Sequence, residues 1–286
     1  MELTFLGTSG TAPTLERGMP SIAVHFNDFF LLDAGEGTQR QMMRYKVPYG
    51  RIAAVYITHS HLDHYLGLFG LLETLKLNKR EQKLKVFAPF PLPITNYSFV
   101  EFTEIEKEGR VYEGESYEVF AYRVEHSQDS YGFIIKEKDK RRFYADKAHE
   151  AGLKGADFKK IEEKGSIAIK GRKVYLEDIT YTQKGRKVVY AGDSVPSKRT
   201  VSVAKDAELL IHEATYASDR EEEARERRHS TAKDAAMVAK EAGAKQLILT
   251  HFSSRYEDEK ELEKEAKKVF KNATAAHDGM KVKVKR

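Results

Sequence analysis

The chain has 286 residues, of which 41% are hydrophobic and 33% are charged, and its formal net charge at pH 7 is +5. The absence of cysteine excludes disulfides, thiolate zinc sites and iron–sulfur clusters, so any metal must be held by histidine and carboxylate. The sequence contains no run of about 18 apolar residues, so we expect no transmembrane helix. Its acidic start at Glu2 is unlike a signal peptide. We therefore expect a cytoplasmic protein that forms one compact domain over residues 1–286 and has no membrane partner.

Short apolar runs alternate with helical patterns along the chain, which is typical of a layered α/β architecture. The predicted strands are, in chain order, Leu3–Leu6, Ser21–Phe26, Phe29–Asp33, Ile52–Thr58, Tyr117–Glu125, Tyr131–Lys136, Lys187–Ala191, Glu208–Ile211, Gln246–Thr250 and Met280–Val284. The predicted helices are Glu36–Tyr45, Tyr65–Leu77, Thr231–Ala242 and Glu257–Phe270. Two segments lack a regular pattern: Val86–Phe102 carries several prolines, and the Lys-, Glu- and Gly-rich segment Arg141–Leu176 is predicted to run over the surface.

The strongest chemical signal is a loop between a predicted buried strand and a predicted helix. Its sequence is Thr58-His59-Ser60-His61-Leu62-Asp63-His64. Alternate residues of extended backbone face the same way, so His59 and His61 can turn toward one point, with Asp63 and His64 facing a second point nearby. Imidazole and carboxylate are the ligands that Zn²⁺ accepts when thiolate is absent. The loop therefore predicts a metal centre.

One metal ion needs about four ligands, so further candidates are required elsewhere in the chain. His126, Asp193 and His251 each stand just past the C-terminal end of a predicted strand, where open α/β sheets place their sites. A carboxylate such as Asp193 can bridge two ions. Position alone leaves each of the three open between a metal ligand and an ordinary residue at a strand end.

A set of segments spread over nearly the whole chain carries a family resemblance. They are Phe5-Leu6-Gly7-Thr8 with Pro13, Arg17 and Pro20-Ser21; Leu32–Gln39; the metal loop; Tyr190–Ser194; Leu210–Tyr216; His229-Ser230-Thr231; and Leu249–Tyr256. The pattern His-x-His-x-Asp-His is the signature of the metallo-β-lactamase superfamily. The elements His-Glu-Ala-Thr and His-Ser-Thr are more specific, and with them the sequence resembles the ribonuclease Z family, the tRNA 3′-processing endonucleases.

The resemblance implies a four-layered αββα sandwich with two Zn²⁺ ions per subunit at one edge of the sheets. The implied ligand sets are His59, His61 and His126 for one ion and Asp63, His64 and His251 for the other, with Asp193 as the bridge. Such histidine and carboxylate sites also accept Mn²⁺ or Fe²⁺. Asp33 resembles a structural acid that lies near the metal loop throughout the superfamily.

The implied activity is hydrolysis of the phosphodiester that joins a tRNA precursor to its 3′ trailer, leaving a tRNA 3′-hydroxyl. Asp63 would be both a ligand and the proton acceptor for the attacking water. His229, oriented by Glu213, would give a proton to the leaving oxygen. Arg17 matches a family loop that meets tRNA, and Arg255 is a candidate phosphate contact. At Arg255 a salt bridge to the acidic helix that follows is the alternative.

Relatives in this family form homodimers and carry a long arm that grips the tRNA. We expect this arm between the metal loop and the third ligand histidine, His126. The corresponding stretch of this chain is only Ala88–Phe102 and contains no Gly-Pro pair. The arm is therefore predicted to be minimal or missing. Basic clusters such as Lys138–Arg142 and Lys154–Lys160 could replace its role electrostatically. A short arm favours an alternative, a hydrolase of small or cyclic phosphodiesters. A catalytically idle RNA-binding module is a second alternative, against which the intact candidate acid and base argue.

Overall fold

Two seven-stranded sheets form the frame of the computed structural model, which describes residues 1–286. With strands numbered along the chain, the first sheet contains, in spatial order, β20 (Lys281–Lys283), β1 (Glu2–Gly7), β3 (Ser21–Phe26), β4 (Asp28–Leu32), β5 (Ile52–Tyr56), β6 (Leu84–Ala88) and β7 (Val100–Glu104). The second contains β19 (Ala273–Ala275), β17 (Leu247–Thr250), β16 (Leu209–Glu213), β15 (Lys187–Tyr190), β10 (Tyr131–Glu137), β9 (Tyr117–Arg123) and β8 (Gly109–Glu113). A short parallel pair joins β2 (Ser9–Gly10) to β18 (Phe252–Ser253).

Helices cover the outer face of each sheet. On the first sheet these are α1 (Thr38–Arg44) and α2 (Leu62–Leu77), and on the second they are α5 (Lys198–Val203), α7 (Ala232–Ala242) and α8 (Lys260–Val269). A further short helix, α6 (Glu221–Glu226), precedes α7. No helix combines the length and the apolar character needed to cross a membrane. The order helix, sheet, sheet, helix confirms the predicted αββα sandwich.

Strand β5 shows why the central strands are apolar throughout. Ala54 and Tyr56 face the core between the two sheets, whereas Ile52 and Val55 belong to the core beneath α2. Both faces are covered, so every position favours an apolar side chain. In the inter-sheet core Tyr56 stacks on Phe87 with ring centroids 4.8 Å apart. Burial of an apolar side chain such as Phe87 stabilises the fold by about 1.5–3 kcal/mol.

The parallel strands of the two sheets bring the loops that follow them to one edge. In the second sheet β15, β16 and β17 pair in parallel, so their carboxyl ends lie side by side. The loops after β15 and β17 carry Asp193 and His251, and Glu213 is the last residue of β16. In the first sheet β5 leads directly into the metal loop. This topology gathers residues that are far apart in the chain.

Helix α7 begins at a well-defined cap, which fixes the segment before it. The hydroxyl of Thr231 accepts a hydrogen bond from the backbone N–H of Asp234, and the Asp234 carboxylate accepts one from the N–H of Thr231. This reciprocal pair satisfies two otherwise unpaired helix donors. The N-cap of α7 is therefore Thr231. His229 lies two residues before this cap.

Residues 137–185 form a second compact unit, which differs from the expected single domain. Its elements are the paired strands β11 (Lys140–Phe143) and β14 (Thr180–Gln183), the paired strands β12 (Ser166–Ile169) and β13 (Arg172–Tyr175), and the helices α3 (Ala145–Glu150) and α4 (Asp157–Lys164). Its small core contains Ala148, Leu153, Ile161, Leu176 and Ile179. The four strands have no fully buried side chain and the two helices bury one each, so these short elements leave little periodicity, which is why the sequence pattern is irregular there.

The segment Ala88–Phe102 belongs to the main body of the chain. Leu92, Ile94 and Phe99 are buried in the core that also contains the inner face of α2. The prolines therefore shape a packed connection between β6 and β7.

Candidate metal centre

Three imidazoles and one carboxylate form the first group of candidate ligand atoms. Nδ1 of His61 lies 2.9 Å from Nε2 of His59 and 3.2 Å from Nε2 of His126. Oδ2 of Asp193 lies 3.9 Å from each of those two Nε2 atoms. Ligand atoms of a tetrahedral zinc complex lie about 3.3 Å apart, given zinc–nitrogen distances of about 2.0–2.1 Å. The spacing therefore suits a single divalent ion.

Asp63, His64 and His251 form the second group. Oδ2 of Asp63 lies 3.6 Å from Nε2 of His64 and 3.7 Å from Nε2 of His251. The same two Nε2 atoms lie 3.4 Å and 3.1 Å from Oδ2 of Asp193. Asp193 thus lies within reach of both groups, as a bridging carboxylate must.

The hydrogen bonds around these imidazoles leave particular ring nitrogens free for a metal. Nδ1–H of His64 donates to Oδ2 of Asp33 over 2.9 Å, and Nδ1–H of His126 donates to the carbonyl oxygen of Arg228 over 2.8 Å. Such bonds fix the tautomer in which Nε2 carries a lone pair. Nε2 of His64, Nε2 of His251 and Oδ1 of Asp193 are buried and have no hydrogen-bond partner. Buried polar atoms normally have one, so these residues fit a bound cation.

Asp33 holds His64, a member of the second group, by a hydrogen bond to Nδ1 of its ring. Its buried carboxylate accepts hydrogen bonds from the backbone N–H of Thr58 and from the hydroxyl of Tyr190, both over 2.8 Å, as well as from His64. A ligand histidine held in this way has its ring orientation fixed before the metal binds. This placement agrees with the structural role that the sequence predicts for Asp33.

Electrostatics favour the metal-binding form of His59, His61 and Asp63, whereas the carboxylates of Asp193 and Asp33 outweigh burial and raise the pKa of His64. Burial and neighbouring imidazoles lower the pKa of His59 and His61, so both rings favour the neutral form. Burial alone would raise the pKa of Asp63, but hydrogen bonding to His251 and the charge of His64 outweigh it and lower the pKa well below its usual range. Neutral imidazole and ionised carboxylate are the forms that bind a metal.

Glu213 and His229 form an ion pair beside both groups. Nδ1 of His229 lies 2.8 Å from Oε1 of the fully buried Glu213. Burial by itself would lower the pKa of His229, but the Glu213 carboxylate outweighs it and raises the pKa to about 9. The ring centroid of His229 lies 4.7 Å from that of His126 and 5.5 Å from that of His251. A protonated imidazole therefore lies within a few ångströms of the candidate ligands.

The two candidate substrate-binding arginines make contacts within the protein. Arg17 is buried, and its guanidinium donates to the carbonyl oxygens of Ser253 and Tyr256, in the chain just after His251. Arg255 donates two hydrogen bonds to Glu223, over 2.8 and 3.0 Å. The salt bridge expected as the alternative at Arg255 thus forms with α6 and not with the helix that follows.

Sequence reasoning assigned no role to Thr11, Tyr190 or Thr215, each of which makes a hydrogen bond with a residue of this centre. The backbone N–H of Thr11, whose φ of 65° lies in the left-handed region, donates to Oδ2 of Asp63 over 3.1 Å. Tyr190 donates to Asp33, and Thr215 lies between Glu213 and His251. Thr215 belongs to the His-Glu-Ala-Thr element, so that element holds the signal. For Thr11 and Tyr190 the partner is distant in sequence and gives no local signal.

Comparisons with known proteins cover almost the entire chain. The sequence profile of the metallo-beta-lactamase superfamily matches residues 25–239. Ribonuclease Z from Archaeoglobus fulgidus is 44% identical over 301 aligned residues, which cover 99% of this chain and 97% of that protein. Ribonuclease Z from Myxococcus xanthus is 39% identical, with coverage of 99% and 98%. The crystal structure of human tRNase Z, short form, is similar with a TM-score of 0.72 and 28% identity, and the match covers 100% of both chains.

Proposed function

The chain belongs to the ribonuclease Z family of the metallo-β-lactamase superfamily, and we propose that its buried centre carries out that family's reaction with two zinc ions. The function is endonucleolytic removal of the 3′ trailer from a tRNA precursor by hydrolysis. One observation carries the assignment of the chemistry to this centre. Two groups of candidate ligand atoms share one carboxylate, and an ion-paired imidazole lies beside them.

The proposed ligands divide into two sets. They are His59, His61 and His126 for one ion, Asp63, His64 and His251 for the other, and Asp193 for both. When bound, such a pair of ions lowers the pKa of a water molecule toward neutrality and draws charge from a phosphoryl oxygen. Mn²⁺ and Fe²⁺ suit the same donors, so metal analysis of the purified protein decides the native ion.

The protein's own residues manage the protons. The ionised carboxylate of Asp63, held by the N–H of Thr11, takes the proton of the water that attacks phosphorus. Nδ1 of His229 is engaged by Glu213, so the proton on Nε2 is the one available to the leaving group. As the bond between phosphorus and the 3′ oxygen breaks, that proton passes to the oxygen. The products are tRNA with a 3′-hydroxyl and a trailer with a 5′-phosphate.

Residues 137–185 are the part of the chain that we assign to RNA contact, in place of Ala88–Phe102. They contain 13 Lys and Arg against 9 Asp and Glu, a net charge of +4 out of the +5 of the whole chain. Tyr144, Tyr175 and Tyr181 are exposed large side chains in this unit. Positive charge attracts the phosphate backbone, and tyrosine rings stack on unpaired bases. Both features support tRNA as the partner, and a tRNA precursor as substrate supports the expected cytoplasmic location.

A homodimer is also proposed, on the evidence of an exposed apolar surface on α2. Leu62 and Leu66, one turn apart, are 59% and 44% exposed. Tyr65 contacts the rings of Phe69 and Phe90, with centroids 6.2 and 5.0 Å apart. Apolar surface of this kind suits burial against a second copy. Sedimentation of the wild type and of Leu66→Lys tests it: we expect a dimer and a monomer respectively, and a monomeric wild type contradicts the proposal.

The direct test is incubation of the zinc-loaded protein with a 3′-extended tRNA precursor, followed by mapping of the product ends. We expect cleavage at the base of the acceptor stem and loss of cleavage in His229→Ala. Hydrolysis of bis-p-nitrophenyl phosphate without tRNA cleavage would instead support the small-phosphodiester alternative. Binding of tRNA without any hydrolysis would support the idle module.

A further inference from the structure

Thr215 lies two residues after the end of β16 and makes two short contacts with its hydroxyl oxygen. Oγ1 lies 2.6 Å from Oε2 of Glu213 and 2.9 Å from Nδ1 of His251. The side chain is almost completely buried, at 2% exposure. One hydroxyl therefore lies between the proposed proton-donor pair and a proposed metal ligand.

The direction of these two bonds follows from the chemistry of the groups. An ionised carboxylate only accepts, so the single hydroxyl proton of Thr215 is donated to Glu213. The oxygen then accepts from Nδ1–H of His251. This fixes His251 in the tautomer whose Nε2 is unprotonated, and that atom is buried, has no hydrogen-bond partner and lies 3.1 Å from Oδ2 of Asp193.

The hydrogen bond from Nδ1 of His251 differs from those made by Nδ1 of two other proposed ligand histidines, His64 and His126. His64 donates to Asp33 and His126 donates to a backbone carbonyl, and neither bond reaches the proton donor. Through Thr215, in contrast, a chain of hydrogen bonds runs from His251 to Glu213, whose other oxygen holds His229 at 2.8 Å.

We propose that Thr215 is a positioning residue that sets both the His251 imidazole and the Glu213 carboxylate for this reaction. The inference rests on the proposed function, because it assigns His251 to a metal and Glu213 to the proton donor. Glu213 keeps other donors without the hydroxyl, namely the backbone N–H groups of Ser194 and Ser230. The larger effect of removing the hydroxyl therefore falls on His251.

The test compares Thr215→Val, which keeps the shape and removes the hydroxyl, with Thr215→Ser, which keeps the hydroxyl. Thr4→Val, at a buried threonine in β1, is the matched control. Zinc affinity is measured by chelator competition, and kcat and KM are measured on the tRNA precursor. We expect Thr215→Val to bind one of its two zinc ions about 10–100-fold more weakly, since removal of the hydrogen-bond partner of a metal-binding histidine has that effect. In this variant kcat falls with KM unchanged, and Thr215→Ser recovers both properties.

Two results would overturn the proposal. One is a folded Thr215→Val with wild-type zinc affinity and kcat, and the other is a Thr215→Ser that is impaired as much as the valine variant. If the valine variant does not fold, long-range ¹H–¹⁵N spectra of the metal-free wild type decide: a His251 ring protonated on Nδ1 alone supports the proposal, and a proton on Nε2 contradicts it. Neither the zinc measurement nor the spectrum uses RNA, so each tests Thr215 even if tRNA is the wrong substrate.

Discussion

Histidines and carboxylates of the proposed metal centre are mostly buried, and most have a hydrogen-bond partner at a defined distance. The lysines and arginines of residues 137–185 lie mostly on the surface, as do Tyr144, Tyr175 and Tyr181. A buried polar group depends strongly on its particular partner, because the surroundings offer no substitute. Exposed charges are screened by salt and are individually weak. We therefore expect single substitutions to break the centre, whereas residues 137–185 respond to their summed charge.

The largest effect is expected from His229→Ala, since it removes the proposed proton donor. On the tRNA precursor kcat should fall about 10²–10⁴-fold, the usual contribution of a positioned acid. Hydrolysis of bis-p-nitrophenyl phosphate should fall far less, because p-nitrophenolate leaves without a proton. Steady-state kinetics on both substrates check this. An equal reduction on both would mean that His229 serves the metal site instead.

Asp33→Asn should weaken zinc binding about 10–100-fold by disturbing the partner of His64. Chelator competition measures it. Asp28→Asn, at an exposed carboxylate in β4, is the control and should leave zinc affinity unchanged. Unchanged affinity in Asp33→Asn would show that the orientation of His64 does not depend on this carboxylate.

The pH dependence of kcat/KM should report the ion pair of Glu213 and His229. The pKa of His229 is raised to about 9, so the donor is protonated below that pH and activity should fall as pH rises through it. Glu213→Gln removes the charge that outweighs burial, so the alkaline limb should move to pH 7 or below. At pH 8 this amounts to a loss of about tenfold. An alkaline limb that stays in place in Glu213→Gln would contradict the assignment.

The smallest effect is expected in residues 137–185. Lys159→Glu with Lys160→Glu on α4 changes the charge of residues 137–185 from +4 to zero. We expect a severalfold rise in KM for the tRNA precursor and a shallower salt dependence, by about 1 in slope for each phosphate that the unit no longer neutralises. The rate on the small diester should not change. The opposite change, Glu162→Lys with Glu163→Lys on the same helix, should lower KM for the tRNA precursor. A rise in KM in both double variants would indicate damage to the fold of residues 137–185.

The sequence alone predicts more of the metal centre than of residues 137–185, for a physical reason. The metal loop concentrates its residues between a buried strand and a helix, and Asp193 and His251 stand where strands end. Apolar runs such as Ile52–Thr58 indicate strands buried on both faces in a layered α/β architecture, and the family resemblance implies the αββα sandwich. In contrast, β7 is largely exposed and the strands of residues 137–185 are four residues long, so neither gives a periodic signal.

Long-range polar interactions are the other part that sequence cannot supply. Arg17 resembles a substrate-binding residue, yet its guanidinium donates to carbonyl oxygens more than 230 residues away in the chain. Local pattern carries no information on such a partner. The hydroxyl of Thr215 is similar, because its role depends on His251 from another strand end.

One experiment tests most directly the claim that chemistry lies in the buried centre and RNA recognition in residues 137–185. It measures kcat and KM for a 3′-extended tRNA precursor, beside the rate on bis-p-nitrophenyl phosphate, for His229→Ala and for Lys159→Glu with Lys160→Glu. We expect the first variant to lose kcat on tRNA and the second to raise only KM on tRNA. A variant with Lys159→Glu and Lys160→Glu that binds and cleaves the precursor like the wild type would contradict the account.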